Sequence, residues 1–151
     1  MQIDFQDCLV EYHNNGIRFL YPDIWELTEE IDGEDVIVMV SMSETCFWTL
    51  RLLPACPPPP QVVESCTSAF REEYDDVEVE SVKSQLAEMP AVAQDLRFFC
   101  MELLNNVGLR SVRTSEFTVL VWWQGVEHEL VESQPILDHM TQSVRADSLF
   151  G

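Results

Sequence analysis

Positive charge is scarce in this chain. Eight basic side chains, of which Lys83 is the single lysine, stand against 27 acidic ones, for a formal charge of −19 over 151 residues. So few cations cannot neutralise a phosphate backbone, which excludes an electrostatic nucleic-acid binder and, equally, an anionic membrane surface as partner. Glycine is sparse too, at five residues. No phosphate loop, dinucleotide fingerprint or Gly-x-Ser-x-Gly elbow occurs, so no cofactor is expected. No apolar run approaches the ~18 residues a membrane span needs; the longest, Val36–Val40 and Val119–Trp123, have strand length. The segment Met1–Val10 carries Asp4 and Asp7 and has neither a basic start nor a long apolar stretch. A cytoplasmic protein is the expectation. Cys8, Cys46, Cys56, Cys66 and Cys100 include no close ligand pair, which argues for reduced thiols and against a zinc site.

What is present is ordinary globular material. Hydrophobic residues make up 46%, enough for one domain over 1–151 with a core of its own. Asp4–Tyr12 reads as a strand, Asn14-Asn15-Gly16 as a turn, and Ile17–Tyr21 as a strand stopped by Pro22. Trp25–Ile31 alternates, with Trp25, Leu27 and Ile31 on the inner face, and Asp32-Gly33 signals a hairpin into Val36–Met42. Phe47–Leu53 is a further strand. The run Pro57–Pro60 makes a stiff connector, with Pro60 suited to the first turn of an amphipathic helix over Val62–Tyr74.

Beyond that helix, Val77, Val79 and Val82 begin a β region and Met89-Pro90-Ala91 reads as a turn. Asp95–Leu104 reads as a central strand covered on both faces, turned at Asn105, Asn106 and Gly108, with β structure again over Arg110–Trp123. A last helix is capped by Ser133, with Pro135 in its first turn and Leu137, Met140, Thr141 and Val144 inward. The order is that of an α+β domain: a central antiparallel sheet with helices packed on its faces.

The stretch Phe19-Leu20-Tyr21-Pro22-Asp23-Ile24-Trp25 resembles the opening of PsbP/Mog-like domains, in which an aromatic strand ends at Tyr-Pro and a tryptophan follows shortly after. With the order of elements, the resemblance covers about residues 3–148. It implies an α/β/α sandwich and a binding scaffold without catalysis. Relatives of this kind include photosystem accessory proteins, Ran-binding proteins, bacterial lipoproteins and cytoplasmic chaperones of type VI secretion effectors. The bacterial cytoplasmic branch agrees best with the sequence.

Three constellations could carry function. Glu72, Glu73, Asp75 and Asp76, with Glu78 and Glu80 beyond, form an acidic run. It is either a solvated helix end or a patch for a basic partner or a divalent cation. Residues 1–80 hold three basic and eighteen acidic side chains, a lopsided field that would steer a cationic partner. Trp122 and Trp123 are strand neighbours and must point to opposite faces; one fills the core, and the other lies under a helix or anchors a partner at the surface. His128, between Glu127 and Glu129, is the histidine best placed for a metal or small ligand, the alternative to protein binding. No nucleophile has a base beside it, so an enzyme is not expected. The oligomeric state is not legible.

Overall fold

The computed structural model describes residues 8–147. β1 (Leu9–Asn14) and β2 (Ile17–Pro22) form a hairpin whose Asn15 and Gly16 both take positive φ, a conformation their short side chains permit. Pro22 ends β2, and Trp25 drops into the core at 6% exposure just before β3 (Glu26–Asp32). β4 (Asp35–Ser41) returns through Gly33, and β5 (Phe47–Leu53) pairs with β4. The prolines then lead into α1 (Pro59–Glu73), which begins at Pro59, one residue ahead of the expected Pro60.

β6 (Glu78–Ser81), β7 (Ser84–Leu86), β8 (Met89–Cys100), β9 (Leu103–Arg113) and β10 (Thr118–Val126) follow, then α2 (Glu127–Ser143) and β11 (Arg145–Ala146). The large sheet is antiparallel throughout, in the order β3-β4-β5-β10-β9-β8-β6, with β7 on β8; β11 joins β2 in a small sheet, β1-β2-β11.

Register sorts the side chains. Val40, Trp48, Trp123, Gly108, Asp95 and Glu80 oppose one another from strand to strand and share a face. Its β4–β5–β10 half is covered by α2 and the small sheet, where Phe19 stacks on Tyr12 at 4.9 Å and meets Trp48 at a tilt at 4.6 Å, and Leu137 and Met140 are sealed. Trp48 Nε1–H donates to Thr141 Oγ1 at 3.0 Å, pinning α2 to the sheet. Met39, Thr49, Trp122, Leu109 and Gln94 share the opposite face. There α1 packs Val63, Cys66 and Phe70 on Leu96, Phe98 and Leu109. Helix, sheet, then helix with a small sheet is the expected sandwich.

Several local expectations are corrected. Met89-Pro90-Ala91 is strand, not turn. The turn is Ala87–Glu88, both at positive φ, and Pro90 is tolerated because pairing with β9 starts only at Val92. Asp95–Leu104 is not one central strand: Met101 and Glu102, at φ 51° and 66°, make a two-residue hairpin inside it. Asn105, Asn106 and Gly108, expected to turn, run straight through β9. Ile31, expected inward, is 72% exposed because β3 is an edge strand whose outer end no described residue covers.

The last helix begins at Glu127 instead of Ser133. Glu129 Oε1 accepts the Val126 N–H at 3.3 Å and so starts the helix about two turns earlier. Ser133 is buried, donating back to the Glu129 carbonyl, and Pro135 lies inside the helix on its exposed side. The first part of the strand expected over Asp4–Tyr12 lies outside the described residues.

Candidate functional site

The two adjacent tryptophans part as expected, and neither is a surface anchor. Trp122 goes under α1, edge-on to Phe47 and Phe70 at 5.5 and 5.8 Å. Its Nε1 and the facing Thr49 Oγ1 are both buried without a hydrogen-bond partner among the described residues. Trp123 is 7% exposed on the α2 face. Its indole lies flat across Gly108, where an added Cβ would stand 2.1 Å from Cε2 and 2.3 Å from Nε1. Gly108 is therefore a packing residue: no other side chain leaves room for the ring.

The acidic run is solvated. Glu72, Glu73, Asp75 and Asp76 are exposed at the end of α1 and just past it. Between them Tyr74 stacks on Phe98, with centroids 4.1 Å apart, and so ties the carboxylates to the outer end of the β8–β9 hairpin. Burial, reinforced by the Glu73 charge, raises the Tyr74 phenol above its ordinary pKa. The hairpin end itself carries three exposed apolar side chains that sequence reasoning missed, Phe99 on one face of the sheet and Leu103 on the other. Phe99 is 68%, Met101 91% and Leu103 45% exposed, with Glu102 beside them. They were missed because the turn between them has no glycine, asparagine or proline to mark it.

A second feature lies on the half of the α2 face that α2 leaves uncovered. A groove of about 580 Å³ has Trp123, Asp95, Arg97 and Arg110 in its floor, with Glu80 on β6 at one side. The other wall is a stripe of α2, Glu127, Val131, Gln134 and Asp138, spaced by four, three and four residues. Arg110 is internally committed. It donates to Asp95 Oδ1 at 2.8 Å, to Ser84 Oγ at 3.1 Å and to the carbonyls of Gln94 and Leu109. Phe99 shares its strand face with Arg97 and Asp95, so the groove runs out toward the hairpin end.

His128 is exposed in the first turn of α2, and its neighbour Glu129 is occupied. That carboxylate accepts from Ser43 Oγ and Thr45 Oγ1, both at 2.8 Å, stapling the β4–β5 loop to the helix. Among the described residues no three His, Cys, Asp or Glu side chains converge in metal-binding geometry. The five thiols are free, and burial pushes Cys46 and Cys66 up in pKa, which keeps them neutral.

No family model matches the chain, and no curated protein matches its sequence. Solved structures do match. The cyanobacterial PsbP (CyanoP) of Synechocystis sp. PCC 6803 superposes with a TM-score of 0.61 at 12% identity, covering 92% of each chain. LpqN of Mycobacterium tuberculosis, a protein involved in cell envelope biogenesis, gives 0.52 at 11% identity over 91% of this chain and 88% of its own. A Bacteroides thetaiotaomicron protein gives 0.55 at 11% over 87% of this chain and 45% of its own. The chain has a PsbP-like fold, as the Tyr-Pro and Trp25 signature implies. At these identities the likeness is one of fold.

Proposed function

We propose that this chain is a non-enzymatic protein-binding domain of the bacterial cytoplasm, adaptor- or chaperone-like, that takes a basic, amphipathic partner segment. The observation that carries the reading is the β8–β9 hairpin end, where Phe99, Met101 and Leu103 stand in water, Phe99 on the α2 face and Leu103 on the α1 face, the face on which Tyr74 of the acidic run stacks on Phe98. Exposed apolar anchors on a strongly acidic molecule suit a partner with apolar side chains and the opposite charge. The molecule's −19 charge would speed that encounter and discourage self-association.

The test is a labelled peptide alternating leucine and arginine, titrated against one alternating leucine and glutamate. The basic peptide is expected to bind in low salt and to weaken steeply as salt rises. Met101→Asp, at a side chain with almost no contacts to lose, is expected to weaken it about tenfold or more. Equal binding of both peptides, or indifference to Met101→Asp, overturns the reading.

A further inference from the structure

The groove beside α2 holds an imbalance that the fold does not require. Trp123 is more than nine-tenths buried, yet its Nε1 is not sealed off, and no described residue accepts its proton. Nε1 stands over Gly108 of β9, and Trp123 lines the groove. Water reaches that N–H from the groove, and a ligand carbonyl can take the water's place. Around this donor stand carboxylates with no ion-pair partner among the described residues: Glu80, Glu127 and Asp138, the last held only by the Gln134 amide at 2.8 Å. Arg110 cannot answer them, being spent on Asp95 and three other acceptors, and Arg97 in the floor, exposed and without an ion pair among the described residues, can offset only one of the three, so the groove keeps an excess of negative charge. Pro135 adds to the demand, since it removes the N–H that would bond the Val131 carbonyl on the same wall.

An unanswered donor at the floor and unanswered acceptors at the rim call for a ligand with an acceptor in its middle and cations at its sides. A peptide with basic side chains has both. A volume of about 580 Å³ lies within the range of ligand pockets. We propose that this groove seats a short, extended, basic peptide segment, one of whose backbone carbonyls accepts from Trp123 Nε1–H while lysine or arginine side chains meet Glu127, Asp138 and Glu80. The assignment rests on the protein-binding reading and deepens it: the groove reads the basic residues, and the hairpin end holds the apolar ones.

The test uses the full chain, 15N-labelled, and the capped tripeptide acetyl-Lys-Arg-Lys-amide, which has no apolar anchor. The Trp123 indole N–H resonance is expected to move downfield on titration while the sealed Trp122 and Trp48 indoles stay in place. Those two also report that the fold is intact. Glu127→Gln with Asp138→Asn, both at exposed side chains, is expected to weaken the tripeptide about fivefold, and Glu34→Gln, exposed in the β3–β4 turn, to leave it unchanged.

Spermine, a polycation without carbonyls, is expected to leave the Trp123 signal in place; if it reproduces the shift, the peptide assignment is overturned. If the tripeptide leaves Trp123 unmoved while the longer leucine–arginine peptide still binds through Met101, the groove is overturned and the protein-binding reading survives. If neither peptide binds in low salt, both fall.

Discussion

Gly108 and Trp123 show how one missing side chain shapes a surface. In sequence, Asn105, Asn106 and Gly108 look like a turn because those residue types tolerate turn conformations. In the sheet, the same glycine is a vacancy over which an indole from the next strand lies down. Gly108→Ala is therefore expected to destabilise by about 3 kcal/mol, seen as a fall in Tm of roughly 6–12 °C, since the intruding methyl meets a rigid ring and strand backbone. The residues that sequence reasoning placed well are those whose role is set locally. Pro22 stops a strand by its own geometry, and Trp25 is buried wherever a core is near. Gly108 and Ile31 depend on what lies across the sheet or fails to, and no neighbour in sequence reports that.

At the scale of elements, strands and helices were legible wherever periodicity was long, as in β4, β5 and α1, and lost where a turn lacked its usual residues. Ala87–Glu88 and Met101–Glu102 both close two-residue hairpins with side chains that disfavour positive φ. A reader of patterns runs straight through them, and the apolar hairpin end went unseen for that reason. Pro135 misled in the opposite sense, by marking a helix start where it only interrupts hydrogen bonding on a solvent face. The strain at Met101–Glu102 is itself informative, because strained turns persist where they serve something. Replacing the pair by Asn-Gly is expected to stabilise the fold by about 1 kcal/mol, a rise of roughly 3 °C in Tm. It should also weaken the amphipathic peptide, so calorimetry and binding on one variant separate stability from recognition.

For the molecule as a whole, protons and salt are the natural probes. Cys46 and Cys66 are raised above their ordinary 9.0 by burial, and Tyr12 is pushed from 10.0 to about 12 by burial and its hydrogen bond with Glu29. Above pH 9 the unfolded chain releases protons that the folded one keeps, so stability, level at lower pH, must fall as alkali is added. Thermal melts from pH 8 to 12 are expected to show that decline, and Tyr12→Phe to remove part of it between pH 10 and 12. Near neutrality the −19 charge opposes compaction, so added sodium chloride is expected to raise Tm even as it weakens cationic ligands.

The large sheet ends in β3 on one side and β6 on the other, and both borders bristle with carboxylates: Glu26, Glu29, Glu30 and Asp32 on the first, Glu78 and Glu80 on the second. Each border has backbone groups able to bond another strand, and mutual repulsion between like-charged copies keeps them apart. Vinegar-like acidity would silence that repulsion. Below about pH 4 the chains are expected to stack border to border into thioflavin-positive threads, and lysines placed at Glu29 and Glu80 to prevent it. The surplus of negative charge is thus a guard against the protein's own kind as much as an invitation to others.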